Sequence, residues 1–485
     1  MRTRICLYIL LLAPLAVYWQ TVFQEYGLRS DYTALRESRE EPSKLVRTSA
    51  ARGRPLYGAM LETSFAVTNE VENLQWLRLT SVLLLTLLGL VLWRQLFQSG
   101  WNEIEAAGIG LGVVLLPSSQ ALVGSAAAWP QALTLLLALA GFSAIETEIE
   151  RGGMKRIVAL LGGCMIYTAA GLIYQANVLF SLVVVFAVLL VRTGREPLTD
   201  RWWTTFHLAA VAGGLGLSRL IINTLFSNGL FHPATEALNS KTVDFLRYPL
   251  PNSLALFALN DDHFTGVVVY WLLALAVVAT LVMGYKKITS HEDEMVRRRA
   301  LYAVIALVIV TVAVCMVASD HIAAYRVLYA LAGLVLLLMV YSLRALVVAK
   351  KPRPGHYAGL LVICIVIGFV AHRNSYRLLA EPQGNEWEMM RGAVLRADFK
   401  KKVRVHIILA GHDDRSTERI YGDEFGSISS DSEAVAKDMF HAAVRTRFPD
   451  KLPQGGQATV TTSSVEPQPG SYDLLIDMRK LKSFH

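Results

Sequence analysis

Just beyond the first apolar stretch of this chain, residues 5 to 22, an acid and an aromatic ring stand side by side as Asp31 and Tyr32. A carboxylate on a loop outside a membrane can take a proton from a hydroxyl group if a rigid scaffold aims it. The same aspartate can instead cap a loop helix starting near Thr33. Glu25, beside Tyr26 at the membrane exit, is the second carboxylate able to serve as a base, against the alternative of a solvated interfacial acid. Glu37, Glu40 and Glu41 interleave with Arg36, Arg39 and Lys44 at helical spacing. That pattern predicts an ion-paired amphipathic helix on the membrane surface, with no part in chemistry.

Three cations fall at the outer depth of the same membrane: Arg54 in the first loop, Arg219 high in the seventh apolar run, and Arg326 opening the tenth. A charge near the end of an apolar run costs a few kcal/mol unless it snorkels to headgroups or meets a partner. A guanidinium is also the side chain best shaped to hold phosphate in a bidentate way. Asp320 and His321 sit beside Arg326, and Asp261, Asp262 and His263 lie in another outer loop. Two or three such residues do not complete a site for a hard cation, so no cofactor is expected and a divalent ion is left open.

Elements long enough to position these groups are plain in the composition. The chain is 53% hydrophobic and only 18% charged, with a mean hydropathy of +0.40, which excludes a soluble globular protein. About eleven apolar runs recur through residue 371, each matched to roughly 30 Å of hydrocarbon. They lie near 5–22, 77–97, 105–123, 126–146, 156–174, 176–191, 202–225, 264–284, 299–318, 326–347 and 356–371. With the N-terminus inside, the Lys and Arg excess falls in four connections placed in the cytoplasm: Arg151, Lys155 and Arg156; Arg192, Arg195 and Arg201; Lys286, Lys287 and Arg297 to Arg299; Lys350, Lys351 and Arg353. This asymmetry predicts a cytoplasmic N-terminus and an extracytoplasmic C-terminus. It also accounts for the basic pI without nucleic acid. Cys6, Cys164, Cys315 and Cys364 all fall in apolar runs, so neither a disulfide framework nor a zinc spacing is expected.

The fold class expected is therefore an α-helical polytopic membrane protein, 1–371, with outer loops at 23–76 and 226–263, followed by a small extracytoplasmic α/β domain, 372–485. In that tail, helices are predicted over Glu386 to Asp398 and Ser432 to Arg447. Strands are predicted over Val403 to Leu409, Ala458 to Ser463 and Tyr472 to Met478.

The order of parts in the first hundred residues, Asp31-Tyr32, then Gly53-Arg54-Pro55-Leu56-Tyr57, then a helix opening on Leu77-Arg78-Leu79, resembles the multispanning GT-C glycosyltransferases. The likeness is to the bacterial branch of serotype-converting (O-antigen) glucosyltransferases. In that branch an Asp-Asp pair often precedes the Tyr; here Ser30 precedes Asp31. The resemblance implies an enzyme of a bacterial inner membrane and cell envelope, moving one sugar from a polyprenyl-phosphate donor to a glycan or lipid-linked acceptor. It further implies Asp31 as general base, with Arg54, Arg219 or Arg326, and His321 beside it, meeting the donor phosphate. The acidic turns of the tail, with Asp413, Asp414, Asp423 and Glu424, are expected to recognise the acceptor or pack over the outer loops. A transporter or flippase for lipid-linked glycans, and a glycan polymerase or ligase, are the alternatives. The first would favour broken helices and midplane charges.

Overall fold

The computed structural model describes residues 2–149, 153–191, 197–226, 238–260, 264–290, 294–317, 324–346, 354–397, 403–411, 424–447 and 458–483. The first apolar run forms α1 (Arg2–Phe23). The segment after it folds into α2 (Ser30–Glu40), α3 (Lys44–Ala51) and α4 (Pro55–Thr68), and α5 (Leu74–Gln98) returns through the bundle. There follow α6 (Glu103–Leu115), α7 (Pro117–Gly124), α8 (Trp129–Ile149), α9 (Gly153–Val178), α10 (Phe180–Val191) and α11 (Pro197–Phe226). The short helices α12 (Leu238–Arg247) and α13 (Pro249–Leu254) precede α14 (Phe264–Thr289), α15 (Glu294–Val317), α16 (Tyr329–Leu346) and α17 (Pro354–Ser375).

Among the described residues, nine helices are long and apolar enough to cross a membrane; the bent pair α6 and α7 makes a tenth. The eleventh expected run is α10, only 12 residues long, or about 18 Å at 1.5 Å per residue. It nevertheless joins the two faces of the bundle. Just before it, Asn177 Nδ2 donates to Gln131 O at the start of α8, and the Phe180 ring meets Tyr329 at the start of α16. At its other end Ala187 O accepts from the Trp101 indole between α5 and α6. All its residues are buried, so its ends are received by protein rather than lipid, and the usual span length does not bind it.

The bend between α6 and α7 is 46°. Pro117 supplies no N–H, and Leu116 before it is extended at ψ 152. Carbonyls released by the break are taken by side chains: Ser119 Oγ donates to Val113 O, and Gln120 Nε2 to Leu115 O. Polar groups in the run at 105–123 are thus a repair to its own backbone. Where α5 crosses α6, a Cβ on Gly110 would lie 2.8 Å from Gly89 O, the close backbone contact that small residues allow in membranes.

The last span does not stop at 371. From α17 the chain runs through a π turn, Tyr376–Ala380, into α18 (Glu381–Leu395), so the expected domain boundary falls inside continuous helix. Beyond it, β1 (Val403–Ile408), α19 (Glu433–Arg447), β2 (Ala458–Ser463) and β3 (Leu474–Asp477) form the expected α/β module. Its sheet is parallel in the order β2-β1-β3, with Val405 paired to both Val460 and Leu474. β1, central, buries Val403, Val405 and Ile407.

Instead of lying on the membrane surface, α2 is clasped between the bundle and this module. Arg36 Nε is 2.6 Å from Asp438 Oδ1 on α19, Arg445 meets Glu40 at 3.0 Å, and Arg29 N donates to Ser429 Oγ. Tyr32, Leu35 and Phe65 share one apolar core with Trp387, Met390 and Phe440. Burial of that core, not the surface ion pairs, carries the attachment. The segment between α1 and α5 and the C-terminal module therefore occupy one face. A periplasm-active phosphatase fused after His485, or inserted at Pro42, is expected to be active in both cases, while a cytoplasm-only fluorescent reporter at either position stays dark. Opposite readings at the two positions would contradict the packing of α2 on α19.

Candidate functional site

Asp31 sits in the first turn of α2, fully buried, and its carboxylate is surrounded by donors. Leu28 N donates to Oδ2 at 2.9 Å and Ala126 N at 3.1 Å; Ala127 N donates to Oδ1 at 2.9 Å and Ser125 Oγ at 3.2 Å. The turn 125–127 leads directly into α8, so the carboxylate also lies at the positive end of that helix. Burial raises its pKa above the ordinary carboxylate range, against the opposing pull of the three N–H groups and Arg78. In this arrangement Asp31 is a clamp joining α2 to the start of α8. To take a proton from an acceptor it must first be released by the turn at 125–127. The position before it, Ser30, is exposed.

Beneath Asp31 lies a residue whose part sequence reasoning missed. Arg78, inside α5 and fully buried, donates to Val22 O (3.2 Å), Gln24 O (2.6 Å) and Tyr26 O (2.8 Å), with its guanidinium 4.1 Å from the Tyr26 ring centre. It ties down the last carbonyls of α1 and the loop leaving it. The signal was available in the Leu77-Arg78-Leu79 stretch: an arginine within an apolar run needs acceptors, and carbonyls at a helix end supply them.

The stretch from Gly53 to Tyr57 is legible residue by residue. Gly53 has φ +76, which favours glycine; Pro55 occupies the first turn of α4, where its missing N–H costs nothing. Between them Arg54 projects over the Tyr174 ring at 4.3 Å, a cation–π contact. Tyr174 itself breaks α9 with φ −158 and ψ 101. Gln175 Nε2 holds Gly53 O at 2.6 Å, and the Tyr57 hydroxyl donates to Ala127 O at 2.9 Å. Burial raises the Tyr57 phenol, while Arg326 and Arg54 both pull it down. Tyr57 of α4 is thus bonded to the turn that Asp31 clamps and feels the charge of two of the three predicted arginines.

Arg326 stands in a short turn with Glu424 of the C-terminal module, Nε to Oε1 3.7 Å, and Glu424 Oε2 accepts from Tyr325 N. The acidic tail therefore reaches the site through Glu424. Arg219 is exposed on α11, beside Ser218, which packs against Gly171 of α9. Glu25 pairs with Arg391 of α18 at 2.8 Å. His321, Asp320, Asp261, Asp262, His263, Asp413, Asp414 and Asp423 lie outside the described residues. Among the described residues no group of three His, Cys, Asp or Glu side chains could hold a metal ion.

Along α4, next to this cationic corner, opens an apolar groove of about 850 Å³ between α4, the start of α5 and Trp129. Leu56, Met60, Val67 and Trp76 line it, and Val67 is 79% exposed. A groove that apolar, opening at the start of the spanning helix α5, suits a hydrocarbon chain.

No protein-family model matches the chain, and no curated protein matches it. Among solved structures, the archaeal oligosaccharyltransferase AglB from Archaeoglobus fulgidus, in complex with an inhibitory peptide and a dolichol-phosphate, aligns with 92% of this chain and 71% of its own. The sequence identity is 11% and the TM-score 0.40, too distant a likeness to carry fold or function to this protein.

Proposed function

We propose that this membrane protein is a GT-C-type glycosyltransferase that moves a sugar from a polyprenyl-phosphate donor to a glycan or lipid-linked acceptor at the extracytoplasmic face of a bacterial inner membrane. The observation that carries the reading is the apolar groove along α4 with Arg54 at the N-terminal end of that helix, over the Tyr174 ring, and with the charge of Arg326 acting on Tyr57 in its first turn. A lipid phosphate needs both halves: hydrocarbon in the groove, and cations where charge grows as the glycosidic bond breaks. Arg219, exposed on α11, is a further candidate for the phosphate or for lipid headgroups. Asp31 is the proposed base, freed when acceptor binding displaces the turn at 125–127.

Replacing Arg54 or Arg326 with Ala is expected to weaken binding of a polyprenyl-phosphate donor by about 1 to 3 kcal/mol each, with Lys restoring only part. Donor titration into purified, folded variants measures this. Unchanged affinity in both would remove the phosphate site from this corner.

A flippase for lipid-linked glycans is favoured by one pair of observations, the 46° break at Pro117 and the non-helical Tyr174, since broken helices mark transport sites. Sugar transfer by the protein in detergent, where no second leaflet exists, supports the transferase. Leaflet exchange in proteoliposomes without transfer supports the flippase.

A further inference from the structure

On the face opposite the C-terminal module a second cavity, of about 780 Å³, opens between the ends of α5, α8, α10, α14, α15 and α16. Lys287 ends α14, Arg299 begins α15 and Arg344 closes α16, and all three line it. The one lining carboxylate, Glu146, is held from behind: Trp203 Nε1 donates to its Oε2 at 2.6 Å, and His207 Nε2 lies 3.2 Å from the same oxygen. Arg344 also pairs with Glu105 of α6 at 3.4 Å, so the cavity gathers three cations with Glu146 turned toward α11 and Glu105 at its edge. Gln95 adds a buried Oε1 with no hydrogen-bond partner, its Nε2 being used by Leu139 O and Ser143 Oγ. The volume lies in the range of small-ligand sites.

We propose that this cavity binds a phosphate-bearing headgroup, its phosphate met by Lys287, Arg299 and Arg344 and a neighbouring hydroxyl donating to Gln95 Oε1. Cations recruited from three helix ends around an open cavity do more than mark membrane orientation, which needs charge but no cavity. The position, at headgroup depth where Lys and Arg gather, fits a glycerophospholipid of that leaflet; a soluble sugar or glycerol phosphate presents the same chemistry. The site is independent of the transfer reaction proposed for the other face.

The test uses the full-length protein with two probes: dioleoylphosphatidylglycerol, followed by native mass spectrometry, and glycerol 1-phosphate in solution, followed by calorimetry. Binding should weaken at least about tenfold in Lys287→Gln/Arg299→Gln, as expected for lost charge-assisted bonds. It should weaken similarly in Thr147→Trp, which fills the cavity from an exposed position without touching a charge. Arg94→Gln removes an exposed cation of α5 that does not line the cavity and should leave binding unchanged. Dependence confined to the lipid identifies a headgroup site, and equal dependence for glycerol 1-phosphate identifies a soluble ligand. If neither probe binds, or Thr147→Trp keeps wild-type affinity, or Arg94→Gln loses as much as the cavity variants, the proposal is overturned.

Discussion

Asp31→Asn is expected to lose both stability and turnover. An amide at this position keeps the shape but turns an NH₂ toward donors. Four groups that now give hydrogen bonds to the carboxylate are Leu28 N, Ala126 N, Ala127 N and Ser125 Oγ. At least one would lose its acceptor in a buried site, at about 2 to 4 kcal/mol for a bond to a charged group together with the stranded donor. If Asp31 is also the base, sugar transfer per folded molecule falls by a further 10² to 10⁴, roughly the contribution of general-base catalysis. Melting temperature and transfer from a defined polyprenyl-phosphate donor, measured on the same preparation, separate the two effects. A lower melting temperature with unchanged transfer per folded molecule would leave Asp31 a clamp and move the base elsewhere. Glu25→Gln tests the remaining named carboxylate; its ion pair with Arg391 is half exposed, so its stability should barely move.

Arg78→Met should be the most destabilising substitution in the bundle, at about 3 to 5 kcal/mol, because a buried charge is removed from partners that have no other donor at hand. Methionine fills much of the volume but leaves Val22 O, Gln24 O and Tyr26 O without the guanidinium. The loop leaving α1 then loses its tether, and Asp31 loses a favourable charge. Lysine recovers less than half, since a single ammonium cannot reproduce the planar spread of three donors. Unfolding in mixed detergent gives the measurement. Combined with Asp31→Asn, the loss should be less than additive, as for two members of one network. Full additivity, or a Met variant as stable as the wild type, would show that Arg78 and Asp31 act separately.

Clasping α2 in a shared core also changes what the tail does. Through Arg36–Asp438 and Arg326–Glu424 the C-terminal module touches both the loop that carries Asp31 and the turn that carries Arg326. The expectation that the acidic turn packs over the outer loops is realised at Glu424, while its other acids lie outside the described residues.

Much of this architecture is written in short-range pattern. Apolar length against membrane thickness produced the runs that became α1, α5 to α11 and α14 to α17, and period-two alternation marked β1 and β2 at the residues where they pair. Gly53 and Pro55 announced a turn and a helix start because their backbones permit little else. The site was another matter. Three of the four partners of Asp31 lie 94 to 96 residues away, and Asp438 lies 402 residues from Arg36. Whether an acid is a solvated base or a buried clamp depends on which donors the folded chain brings to it. No local pattern encodes that. The sequence by itself determined which segments enter the membrane and which residue types stand at its boundary, since both follow from transfer free energies summed along the chain. Only the tertiary structure decided that Arg54 lies over Tyr174 and Arg326 beside Glu424, that Arg78 holds the end of α1, and that Asp31 is enclosed. Each of these is a distance between helices, set by packing rather than by any residue's own preference.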